Sequence, residues 1–181
     1  GWEIGAGVSV WLARLYPDHT IGIQLNYIPG SYRPPEGQGI APASAEEEAF
    51  LAKAATWVGS EGSYAAQQGT KPLTLAYSLA DSPVGLAGWI VEKFRAWSDC
   101  GGNVESVFSL DELLTGISLY WFSGNVESTL RIYKENRAQP LAFDAQERGV
   151  PPRGRALFPR ELPTPPRSWV ERVFDVRRWT P

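Results

Sequence analysis

The stretch Gly1-Trp2-Glu3-Ile4-Gly5-Ala6-Gly7, running into Val8-Ser9-Val10-Trp11-Leu12-Ala13-Arg14-Leu15-Tyr16, decides the fold. Small residues surround an acid ahead of an apolar segment that reads as a short buried helix from Val8 to Tyr16. Pro17, which has no N–H to continue the ladder, stops it. Thr20 to Ile28 then alternates apolar and polar residues as a strand. A helix followed after a tight loop by a strand is half of a parallel α/β unit. A small-x-acid-x-small turn at the head of such a helix lifts its central side chain above the sheet. Glu3 holds that raised position, with Gly1 and Gly5 giving the backbone room. Alone the motif is weak, because any Gly-rich chain offers matches and most of them are plain turns.

Working outward, residues 29–43 carry Pro29, Gly30, Pro34, Pro35, Gly37, Gly39 and Pro42 and read as an irregular link. From Ser44 to about Arg137 the pattern is helical, with no repeat and no heptad register. Ser44 with Glu47 is a capping box, and Glu46, Glu47 and Glu48 suit the positive end of a helix dipole. Ser82-Pro83 opens a helix to Trp97, Ser109 with Glu112 repeats the capping box, and Asn125 caps a helix through Tyr133 and Lys134. A second Pro/Gly link spans Gly149 to Gly154. Arg155 to Phe158 reads as a strand, Pro165 to Val170 as a short helix and Val173 to Trp179 as a last strand. The order is α/β, a helical insert, then α/β again.

The composition bounds the function. With 181 residues, 43% of them hydrophobic and 20% charged, the chain has the material for a core. A net charge of −3 gives no reason to expect nucleic acid as a partner. Seven Arg against three acids over 149–181 read as a solvated face. One cysteine, Cys100, makes no intramolecular disulfide, and one histidine, His19, excludes a His-rich metal site. No apolar run approaches the ~18 residues of a membrane span, and no cleavable signal stands at the front. The expected location is cytoplasmic. The chain has no Met and opens on a motif that belongs after a strand, so it reads as a piece of a larger protein.

Longer blocks of sequence sharpen the reading. Gly5-Ala6-Gly7-Val8-Ser9, Leu25-Asn26-Tyr27-Ile28, Gly69-Thr70-Lys71-Pro72 and Asp81-Ser82-Pro83-Val84-Gly85-Leu86-Ala87 come in order. Glu92-Lys93-Phe94, Phe108 to Leu114, Leu119-Tyr120-Trp121 and Tyr133-Lys134-Glu135-Asn136 follow. Through these blocks the whole chain resembles the microsomal-type epoxide hydrolases of the α/β-hydrolase fold, matching the later part of that family's length. The resemblance implies α/β-hydrolase core at 1–28 and 149–181 and a helical cap over 29–148.

It also implies a chemistry: hydrolysis of a small apolar epoxide by water to a vicinal diol, with no cofactor and no metal. An elbow carboxylate forms an ester with the substrate, cap tyrosines stabilise the ring oxygen, and a His–acid pair activates water. Glu3 stands at the nucleophile position and the Ile4 backbone N–H at half of the oxyanion hole. Tyr64 and Tyr133 match the two epoxide-oxygen donors, and Glu161 matches the relay acid. Without the resemblance, each tyrosine reads as a half-buried residue with a satisfied hydroxyl, and Glu161 as a loop carboxylate beside Arg160 or Arg167. The family carries Asp where this chain has Glu3, and Trp where it has Ile4. One added methylene moves the attacking oxygen by roughly 1 Å, a displacement that can cost on the order of a hundredfold in rate. The family's His falls beyond Pro181, and His19 belongs to a loop elsewhere, so the chain alone is expected to be inactive. The resemblance places the parent activity in detoxification and aromatic-hydrocarbon catabolism. Two rivals remain: a catalytically silent fragment or binding module of the same fold, and a haloalkane dehalogenase-like hydrolase. The second is disfavoured by tyrosines where halide release wants N–H donors. Roughly three strands, fewer than the usual four to six, would leave an inner strand edge unpaired and open to homo-oligomer formation.

Overall fold

The computed structural model describes residues 4–27, 44–141, 150–156, 162–172 and 174–180, with 150–156 as backbone. Two compact units divide the chain: residues 1–60 with 140–181, and residues 61–139.

In the first unit, helix α1 (Ile4–Leu15) buries Ala6, Val10 and Ala13 completely. Their spacing of four and then three residues makes one stripe, and the two alanines let the helix lie close to the sheet. Strands β1 (Ile23–Leu25), β2 (Val150–Ala156) and β3 (Phe174–Thr180) form a parallel sheet in the order β1-β2-β3. On β3, Phe174 and Val176 are buried while Asp175 and Arg177 face out, the two-residue period of a strand. Helix α8 (Arg167–Glu171) adds Trp169 and Val170 to the same core, which also holds Leu25 and Leu141.

Helix α2 (Ala45–Glu61) starts at the expected capping box. The Ser44 N–H donates to Glu47 Oε2 at 2.9 Å and the Glu47 N–H donates to Ser44 Oγ at 3.2 Å. Glu47 is 1% exposed, and Arg172 Nη2 lies 2.7 Å from each of its carboxylate oxygens. Phe50 meets Trp169 edge to face at 5.7 Å. These contacts make α2 part of the first unit.

The second unit is helical: α3 (Ser63–Thr70), α4 (Pro72–Asp81), α5 (Pro83–Trp97), α6 (Leu110–Ser123) and α7 (Val126–Ala138). The Ser82 hydroxyl accepts from the Gly85 N–H at the start of α5, and the Ser109–Glu112 box opens α6. Helix α6 ends at Gly124, whose φ of 65° is the left-handed cap that a side chain resists. Ala76, Leu79, Leu86, Ile117, Val126 and Leu130 form the core, with Trp89 and Trp121 packed on it.

Three local expectations change. Helix α1 begins at Ile4 rather than Val8, so Gly5 lies in its first turn, and no described atom outside the helix's own backbone would lie within 4 Å of a Cβ there. The tract expected to be a link up to Gly154 is strand from Val150 onward. Pro151 and Pro152 lack N–H groups, and the register against β3 shifts between Val150 and Arg153 and again before Gly154. The irregularity lets a proline tract sit inside a sheet. Asn125 precedes α7 without a capping hydrogen bond from its side chain.

Candidate active site

Tyr64 lies in the first turn of α3 and Tyr133 in the second half of α7. The two helices run against each other near Gly69, where a Cβ would sit 3.5 Å from Arg137 Cδ and 3.8 Å from the Tyr133 carbonyl. Both are ordinary van der Waals distances, so the helices pass close together without requiring glycine at this point. The result brings the two tyrosines together: their ring centroids are 5.8 Å apart in an edge-to-face arrangement, and both are half-buried. Two phenol O–H donors therefore occupy one neighbourhood of the helical unit.

Helix α5 adds to this cluster. Trp97 stacks at a tilt on Tyr64, centroids 5.2 Å apart, and its Nε1–H donates to Glu61 Oε2 at 3.1 Å. Lys93, one turn before Trp97, seats its ammonium 5.2 Å from the Tyr64 centroid and 5.3 Å from the Trp97 centroid. The same ammonium is 2.6 Å from Glu92 Oε2. Two phenol rings, an indole and an ammonium thus cluster in this part of the helical unit, with the Glu92 carboxylate on the ammonium and the Glu61 carboxylate on the indole N–H. The sequence reading assigned no role to Lys93, Trp97 or Glu61. The i, i+4 spacing of Lys93 and Trp97 was the available signal, since it puts both on one face of a helix.

The remaining predicted residues divide. Ile4 heads α1, in the turn whose N–H groups have no acceptor within the helix. Glu3 and Glu161 lie outside the described residues. His19 closes a short 3-10 turn, Pro17–His19, and is exposed. Among the described residues no group of three His, Cys, Asp or Glu could hold a metal ion, and no helix is long and apolar enough to cross a membrane.

No family model matches the chain. It is 40% identical over 175 residues to a provisionally named epoxide hydrolase of Stigmatella aurantiaca, a match covering 97% of this chain and 38% of that protein. It is 35% identical over 201 residues to epoxide hydrolase 1 of Oryctolagus cuniculus, covering 96% of this chain and 43% of that one. The solved structure of the Aspergillus niger epoxide hydrolase superposes with a TM-score of 0.74 at 27% identity, covering 99% of this chain and 44% of that chain. The chain has the α/β-hydrolase fold, and the proteins that match nearly all of it are epoxide hydrolases. It spans about two fifths of the length of these epoxide hydrolases. The parallel sheet of the first unit and the helices of the second are thus the α/β-hydrolase fold expected from the sequence.

Proposed function

We propose that this protein opens an organic epoxide to a vicinal diol, with Tyr64 and Tyr133 as donors to the epoxide oxygen. The observation that carries the reading is the edge-to-face contact of the two tyrosines, which are far apart in sequence and adjacent in the helical unit. Sequence likeness to epoxide hydrolases from a bacterium and a mammal supports it.

In the proposed sequence the carboxylate of Glu3 attacks a ring carbon, a C–O bond forms, and the ring's C–O bond breaks. The departing oxygen takes up negative charge, which the two phenols stabilise by hydrogen bonding before it is protonated. Water then attacks the ester carbonyl, whose oxyanion the Ile4 N–H helps to hold, releasing the diol and restoring the carboxylate. Glu161 is the acid that orients the base for this second half, the histidine that the resemblance to the family places after Pro181; the base takes a proton from the attacking water and returns it to the departing alcohol oxygen. The helical unit serves as the cap over a small apolar substrate.

Turnover of styrene oxide by the whole protein tests the donors. Y64F and Y133F should each lower kcat/KM by roughly 100-fold, the cost of removing one preorganised oxyanion donor. Mass spectrometry after a brief exposure should find the epoxide mass on the peptide carrying Glu3, and E3Q should abolish that adduct. Undiminished turnover in the Y64F/Y133F double variant would sink the reading.

A further inference from the structure

We propose that Lys93 is a positioning residue for Tyr64: its ammonium clamps the Tyr64 ring against Trp97 and strengthens the phenol as a donor. The inference deepens the proposed function and rests on the reading of Tyr64 as a donor to the epoxide oxygen.

Lysine is ordinarily among the most exposed of side chains, yet that of Lys93 is only 20% exposed. Its ion pair does not explain the placement. Glu92 is its neighbour in the chain, and consecutive residues on a helix do not share a face. Glu92 is itself 56% exposed, so the pair could form as well with Lys93 turned to solvent. Instead the ammonium lies within reach of two ring faces at once, at 5.2 and 5.3 Å, inside the ~6 Å limit for cation–π attraction.

The far wall is also fixed. Trp97 is tied through its Nε1–H to Glu61, so the indole is a backstop and Tyr64 is held between a cation, an anchored indole and the Tyr133 ring. A cation over a phenol ring draws electron density from it and polarises the O–H bond. That polarisation matters most when the acceptor oxygen is gaining charge, so the contribution falls on the chemical step more than on substrate binding.

The test uses three variants with styrene oxide as the probe substrate, together with the ring signals of 13C-labelled tyrosine assigned through Y64F. K93M keeps the aliphatic stem and loses the charge. It should lower kcat roughly tenfold, the scale of one largely desolvated cation–π contact, with little change in KM. It should also move the Tyr64 ring signal. K93R, which restores a cation able to stack on both rings, should recover most of kcat and return the signal. E92Q removes the carboxylate that partly offsets the ammonium, and should shift the Tyr64 signal opposite to K93M. This last variant decides the matter even if K93M folds poorly. Suppose Y64F impairs turnover while K93M matches the parent, or K93M and E92Q both leave the Tyr64 signal unmoved. Either result overturns the inference and leaves the proposed function standing. If Y64F is as fast as the parent, the donor reading falls and takes the inference with it.

Discussion

Glu47 carries two duties with one carboxylate. It closes the capping box of α2 by accepting from the Ser44 N–H, and it holds Arg172, in the turn before β3, by both oxygens. At 1% exposure the charge has left water, and these partners, with the Ser168 hydroxyl donating to Oε1 at 3.5 Å, offset that loss. Arg172→Met would leave it uncompensated, and urea unfolding should record a loss of about 3–5 kcal/mol. Replacing both partners with apolar residues should cost less than that single change, which a double-mutant cycle would reveal. The capping half of this arrangement was legible, because Ser44 and Glu47 are three residues apart and obey a local rule. The Arg172 half was not, since nothing in a single sequence pairs positions so far apart. The same limit separates Tyr64 and Tyr133 from Lys93: the tyrosines were found through longer matching blocks, whereas the cation over the Tyr64 ring depends on how α5 meets α3.

At the scale of the element, α6 shows how helix ends govern response to acid. The Ser109 hydroxyl and backbone N–H both donate to Glu112, at 2.7 and 2.8 Å, and hold its carboxyl below the ordinary carboxylate range. A carboxyl depressed in the folded state contributes stability that is present above its unfolded value and lost as pH falls through its folded one. Unfolding monitored by circular dichroism should therefore show an acid limb that E112Q flattens. Ser109→Ala should cost about 1 kcal/mol at neutral pH, the usual worth of an N-cap. Helix starts at Ser44, Ser82 and Ser109 were readable because capping chemistry is local. Strand limits were less so. The tract from Val150 breaks the composition rules for strands, and it pairs because neighbours on both sides supply a ladder that tolerates its irregularity.

The molecule as a whole is a discontinuous unit interrupted by a continuous one. Each has its own core, so damage to one should stay within it. Leu130→Ala should cost about 2–5 kcal/mol and lower hydrogen-exchange protection in the helices between Glu61 and Gln139. Val170→Ala should instead expose amides of α1 and β3. Loss of protection spreading evenly through both units after either change would show a single cooperative core. The sheet's parallel connection also sets a timetable for synthesis. Ile23 pairs with Arg153, more than a hundred residues downstream, so a ribosome working at about 5–20 residues per second needs on the order of ten seconds to deliver the partner strand. The helices from α3 to α7 find their core neighbours within one continuous segment, Glu61 to Gln139, and can consolidate once α7 has emerged. On the nascent polypeptide the inserted helices mature first, and the strand made earliest waits longest for its neighbour. That interval is when its bare edge is open to a holdase or to the wrong chain, and slowing or speeding translation between the two segments should change the yield of folded protein.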